Sequence, residues 1–282
     1  MATDNLQHQR LELKYIIPEP VALAVRDYVS THLTLDEFGV GQPDLSYPIH
    51  SLYLDSDHLS LYWETINGSK NRYKLRVRYY DDRPDSPVFF EIKRRMNDAI
   101  LKQRGGVKRP AAAELLAGRL PAMDELFSSD PKHLTALQNF CRLMLRLHAR
   151  PMALVSYRRE AWISAHNNSV RVTMDRQVRL DLDPMSSLRT TMTNPVSVFD
   201  KTVILELKFT GRFPSWFGNL ARHFGLRQCS AAKYADGISL MLDAGRNPTP
   251  LAEPMTFEAA KKLQARRESL YAEGERSRPV YA

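Results

Sequence analysis

The chain has 282 residues, 43% hydrophobic and 26% charged, with a formal net charge of +8. That is enough chain for one large domain or two small ones, and the composition excludes a disordered or fibrous protein. The cationic surplus calls for an anionic partner, but charge alone does not separate nucleic acid from nucleotide, polyphosphate or a membrane surface. The two cysteines, Cys141 and Cys229, are far apart and form no CxxC pair. A disulfide framework or cysteine zinc site is therefore not expected, and a reducing compartment is. The start, MATDNLQHQR, has no apolar stretch, and nowhere do about 18 apolar residues run together. A soluble, cytoplasmic protein is the expectation.

In chain order, Arg10 to Ile17 alternates as a strand and is stopped by Pro18 and Pro20. Pro20 suits the first turn of a helix running to about Leu33. A loop rich in Asp, Gly and Pro leads to a second strand, Ile49 to Asp55, and a short helical turn ends at Asn67-Gly68. Asn71 to Arg95 then reads as two strands joined by a polar turn. Arg72, Lys74, Arg76 and Arg78 share one face of the first, and Tyr73, Leu75, Val77 and Tyr79 share the other. In the second, Phe89, Glu91, Lys93 and Arg95 oppose Val88, Phe90 and Ile92. Ile100 to Arg104 is a further strand, with Gly105 and Gly106 closing it. Residues 110–148 change to a helical pattern, ending in an amphipathic helix from His133 to His148. Strands resume at Ala153 to Ser164 and Ser169 to Asp175, joined by an Asn167-Asn168 hairpin turn. Another follows at Thr202 to Phe209. Two short helices come next, at Phe213 to Phe224 and Ala235 to Leu242. The chain thus divides into a domain at 1–245, with a helical insertion at 110–148, and a charged tail at 246–282. The tail carries one solvated helix from Phe257 to about Gly274, where Glu258 and Lys262 form a favourable pair. No internal repeat is evident.

Three strands carry Glu-x-Lys: Glu12/Lys14, Glu91/Lys93 and Glu206/Lys208. One carries Arg-x-Arg, Arg76/Arg78. A spacing of two in a strand places both side chains on one face. Lys102, Arg104, Arg159 and Arg171 stand on neighbouring strands. One Glu-x-Lys alone would be a solvated cross-strand pair, but the joint occurrence of these pairs and basic residues on nearly every predicted strand argues against that reading. If the sheet curls, these faces meet inside and the apolar faces turn outward to the helices. A dry lumen of that kind would repel itself, whereas a polyanion, water and a divalent cation balance it.

The ordered stretches E-x-K-Y at Glu12 to Tyr15, S-x-Y-x-D at Ser51 to Asp55, KLRVRYY at Lys74 to Tyr80 and FEIK at Phe90 to Lys93 carry a resemblance. So do YRREA at Tyr157 to Ala161, VRVTMD at Val170 to Asp175, LELK at Leu205 to Lys208 and SAAKY at Ser230 to Tyr234. Together they resemble the catalytic domain of the vacuolar transporter chaperone (VTC) proteins, within the triphosphate tunnel metalloenzyme superfamily, over residues 10 to about 240. The resemblance implies an α+β fold: an antiparallel closed β-barrel tunnel of about eight strands with a cationic lumen, flanked by helices. It implies phosphate contacts from Lys14, Arg76, Arg78, Lys93, Arg159, Arg171, Lys208 and Lys233. Arg10, Lys74, Lys102 and Arg104 are further substrate-binding candidates, the choice between the last two being open. Glu206 would hold Mn²⁺ or Mg²⁺, with Glu12 and Glu91 as further metal candidates.

The function implied is a polyphosphate polymerase that passes the γ-phosphoryl group of ATP to a growing chain. The alternatives are a metal-dependent tripolyphosphatase or nucleoside triphosphatase, and a non-catalytic module binding polyphosphate or inositol phosphate. Hydrolytic members of the superfamily resemble E-x-E-x-K on the first strand, and here Arg10 replaces the first carboxylate, which leans towards synthesis. The eight His are scattered without a triad partner or ligand spacing. Nucleic acid is not an expected partner, because Tyr73, Tyr79 and Phe90 alternate away from the cationic face. Any coupling to a membrane would need a separate partner.

Overall fold

The computed structural model describes residues 10–97, 99–165 and 169–249. The Asn167-Asn168 turn, the tail helix from Phe257 and the Arg10 side chain lie outside the described residues. The strands are β1 (Arg10–Pro18), β2 (Thr34–Leu35), β3 (Ser46–Asp55), β4 (Asn71–Tyr79), β5 (Pro87–Met96), β6 (Ala99–Lys108), β7 (Arg150–Ile163), β8 (Val170–Leu182), β9 (Val196–Ser197) and β10 (Thr202–Thr210). Six α-helices intervene among the described residues: α1 (Glu19–Ser30), α2 (Ser60–Ile66), α3 (Ala111–Leu116), α4 (Pro131–Arg146), α5 (Ser215–His223) and α6 (Lys233–Asp243).

All ten strands form one antiparallel sheet whose main path is β1-β10-β8-β7-β3-β4-β5-β6, with β2 on β7 and β9 on β8. The two ends of that path face each other, since Glu12 on β1 comes within 3.9 Å of Lys93 on β5. No ladder among the described residues joins the ends. The closed barrel expected from the sequence is therefore an open, strongly curled sheet. A ladder joining β1 to β6 would bring Lys14 towards Lys102 on the same face, where like charges repel. Side chains span the gap instead.

The alternation sorts the two faces. On the convex face, Leu75, Val77, Tyr79, Val88, Phe90 and Ile92 pack under α3 and α4 with Leu115, Leu137 and Phe140. Val21, Val25 and Val29 of α1 and Phe217 and Leu220 of α5 cover Tyr15, Val172, Met174, Leu205 and Leu207. On the concave side, Tyr62 of α2 and Ile238 and Met241 of α6 pack in one cluster with Ile49, Val155 and Leu180, which share the face of Tyr53 and Tyr157. A buried ion cluster fixes α1 to the sheet. The fully buried Glu160 accepts both Arg26 nitrogens at 2.9 and 2.7 Å, Arg176 at 2.9 Å and the Trp162 indole N–H at 2.7 Å.

Two boundaries differ from the sequence reading for identifiable reasons. β8 runs on to Leu182 rather than stopping at Asp175, because a bulge with Gln177 at φ 53° interrupts the period-two pattern. Gly105 and Gly106 do not close β6 but lie inside it, where Gly105 lets α4 approach. A Cβ on Gly105 would meet Leu137 Cγ at 2.5 Å and the His133 carbonyl oxygen at 2.7 Å. Gly105→Ala should therefore cost about 1–3 kcal/mol of stability by overpacking, measured by denaturant unfolding, despite the usual gain from replacing glycine in a strand.

Candidate active site in the curled sheet

The concave face encloses a cavity of about 490 Å³ lined by eleven Lys or Arg and only four acids. The cations are Lys14, Lys74, Arg76, Arg78, Lys93, Lys102, Arg104, Arg159, Arg171, Lys208 and Lys233, and the acids are Glu12, Asp36, Glu91 and Glu206. Every sequence-predicted site residue with a described side chain is among them. Both Lys102 and Arg104 line the cavity. Register explains the convergence. Tyr53, Arg76, Glu91 and Arg104 form one row across β3 to β6, and Lys74, Lys93 and Lys102 form the next. On the opposite wall Lys14 sits beside Glu206, and Glu12 beside Lys208, which in turn pairs with Arg171.

Two carboxylate centres organise the charge. Glu206 receives Lys233 at 3.3 Å and Lys14 at 3.5 Å on one oxygen. Its other oxygen takes Lys208 at 2.5 Å, the Thr173 hydroxyl at 3.2 Å and Arg159 at 3.5 Å. Burial would raise its pKa, but Lys208, Lys233 and the other cations hold it well below the usual carboxylate range. Beneath it, the fully buried Asp175 takes both Arg159 nitrogens at 2.7 Å and Lys233 at 2.7 Å. Glu12 bonds Lys14 at 3.2 Å, and against its burial Lys14, Lys208 and Lys93 together hold it below the usual carboxylate range. The second centre, Glu91, lies between guanidinium groups: Arg76 at 2.6 Å, Arg104 at 3.5 Å and Arg78 at 3.8 Å. They bring it down to about 2 against the effect of burial. Glu91 thus balances an arginine row and stands apart from the Glu206 group.

Three of the cavity lysines are held below their ordinary value. Burial, reinforced by Lys14 and Lys93, drives Lys74 well below its ordinary value. Lys93 and Lys208 fall to about 8, chiefly by burial. Such groups lose little by giving up water to an incoming anion, because they have already lost much of it.

The sequence reading missed several supports. Asp36 on the loop before β3 bonds Arg171 at 2.8 Å, and the Tyr47 hydroxyl accepts from Arg171 at 3.3 Å. The Tyr53 and Tyr157 hydroxyls accept from Arg76 and Arg78, each at 3.2 Å. Asp55, fully buried and pushed up to about 6 by burial, accepts the Tyr234 hydroxyl at 2.9 Å. That bond seats α6 so that Lys233, at its first turn, enters the cavity. Asp175 was legible: it shares the parity of Arg171 and Thr173 in VRVTMD. Asp36 was not, since it sits in a loop without periodicity.

A family model described as the VTC domain matches residues 9–242. The chain belongs to the VTC domain family. Among solved structures, this VTC domain is similar to a candidate adenylate cyclase from Bacillus halodurans, at 12% identity and a TM-score of 0.44, over 80% of this chain and 94% of that one. It is also similar to the Schizosaccharomyces pombe Mediator head module, at 9% identity and a TM-score of 0.37, over 77% and 91%. No curated protein matches it.

The depressed lysines of this VTC domain predict opposite pH trends for affinity and stability. Between about pH 8 and the ordinary lysine value of 10.5, the unfolded chain holds protons that Lys93 and Lys208 have released. These two groups therefore make the ligand-free protein more stable as pH rises through that window. A polyanion binds their charged forms, so its affinity should fall above pH 8, and binding at pH 8 should take up protons. Titration calorimetry of inorganic tripolyphosphate in buffers of different ionisation enthalpy checks the uptake; release of protons would contradict it.

Proposed function

We propose that this protein is a divalent-metal-dependent polyphosphate polymerase, transferring the γ-phosphoryl group of ATP to a growing phosphate chain in the cavity. The observation that carries the reading is the surplus of seven cations over acids on one enclosed surface. Phosphoryl transfer demands alignment and charge neutralisation rather than covalent chemistry by the protein. The forks of Arg76, Arg78 and Arg159 suit phosphate oxygens in a fixed orientation, and the flexible lysines suit a chain that must advance.

Among the described residues there is no cluster of three His, Cys, Asp or Glu able to form a resident metal site. A hard ion that keeps water and phosphate ligands needs only one or two carboxylates. Glu206, with Glu12 beside the shared Lys14, fits an ion arriving with the substrate. Bound there, Mg²⁺ or Mn²⁺ would supply neutralisation of charge on the transferring group. Lys14, Lys208 and Lys233, which now crowd Glu206, would turn to the phosphates instead.

Transfer is favoured over hydrolysis by the state of the carboxylates. Glu12, Glu91 and Glu206 are all held below the ordinary range, which makes them poor bases for activating water. A terminal phosphate is already an anionic nucleophile and needs no such base. Lys93 and Lys208, though low in the free protein, regain their protons against a polyanion and so act as electrostatic partners.

Incubation of the purified protein with ATP and Mn²⁺ or Mg²⁺ should yield ADP and phosphate chains resolvable on a gel. Free phosphate without chains would identify a hydrolase instead. Glu206→Gln should lower metal-dependent turnover by about 100-fold or more while retaining tripolyphosphate binding, since it removes negative charge from the wall. Undiminished turnover would remove Glu206 from the metal role.

A further inference from the structure

The cavity is not the same at its two ends. Along β4 the lumen-facing side chains run Lys74, Arg76, Arg78 and then Tyr80 just beyond the strand, a path of about 20 Å at the usual strand rise. One end is the lysine row of Lys74, Lys93 and Lys102. The other is aromatic. Phe38 and Tyr80 line the cavity there with ring planes 4° apart and centroids 6.4 Å apart, and Tyr47 lies 5.6 Å from Phe38. Phe89 follows, 6.3 Å from Tyr80, with the Arg104 guanidinium 3.5 Å above its ring.

Phe38 is 62% exposed. A phosphate chain has no use for a phenyl face, whereas a planar heterocycle does. The ring is also held in place. Asp36 accepts the Phe38 N–H on its carboxylate at 3.1 Å and the Gly39 N–H on its carbonyl at 2.9 Å, and its carboxylate bonds Arg171 at 2.8 Å. One acid therefore ties the exposed ring to the cationic wall. Arg104 makes a second tie, since it lies near Glu91 at 3.5 Å and donates to the Tyr80 hydroxyl at 3.4 Å.

We propose that Phe38 and Tyr80 form a platform on which the base of a bound nucleoside triphosphate stacks, orienting its phosphates towards the lysine end. The inference rests on the reading of the cavity as a triphosphate site. Stacking uses the π-face common to all bases, so the platform accepts nucleoside triphosphates as a class, purines more tightly than pyrimidines because their rings are larger.

The test is calorimetric titration of the full chain and of Phe38→Ala with ATP and, separately, with inorganic tripolyphosphate. Phe38→Ala should weaken ATP about tenfold and leave tripolyphosphate unchanged. Phe38→Trp should report ATP by a fluorescence change that tripolyphosphate does not produce. Equal losses for both ligands, or no loss for ATP, would overturn the platform while the triphosphate site stands. A wild-type protein that binds neither ligand would overturn both.

Discussion

Eleven cations share one concave surface in this protein, and their mutual repulsion is the constraint that everything else answers. At 4 Å two like charges repel by about 1 kcal/mol in water and about 4 kcal/mol at the effective dielectric near a protein surface. The arrangement is tolerable because the charges are not evenly spread. Arg159 and Lys233 share Asp175, four cations share Glu206, and three arginines share Glu91. Burial first, and neighbouring cations after it, push Lys74, Lys93 and Lys208 down. The site is kept short of neutral, which suits it to an anion.

The same constraint shapes the fold. A sheet with apolar side chains inside would need no filling by solvent or ligand, but its outer face would then need no helices. Here the order is inverted: the apolar face is outside, so α1, α3, α4 and α5 are obligatory covers, while α6 packs on the concave side. That helix also serves the site. α6 is seated through the Asp55–Tyr234 bond and delivers Lys233, while Tyr234 stacks on Tyr53 at 4.9 Å, whose hydroxyl meets Arg76. Core packing and site geometry are joined through those two rings.

Much of this was legible in the sequence because period-two alternation assigns each side chain a face without further information. Arg76, Glu91 and Lys208 could be placed inside from their neighbours alone. What alternation does not encode is the partner strand. It gave no sign that the ends of the sheet stop short of pairing, nor that β8 continues past a bulge at Gln177. Gly105 and Gly106 were misjudged for a related reason: a glycine that ends a strand and one that admits a helix look alike until the helix is in place. Asp36 and Phe38 lie in an aperiodic loop, where position depends on turns and side-chain bonds rather than on pattern.

The inversion of the sheet also bears on which changes of length the chain can absorb. Inside β4 or β5, one inserted residue would exchange the two faces beyond it, sending Arg76 or Lys93 into the apolar layer under α3 and α4 and bringing Val77 or Phe90 into the cavity. The core and the charged wall would fail together. A change of length in a connection, such as the loop between β2 and β3 or the span between α3 and α4, exchanges no faces, so those are the places where this chain can absorb one.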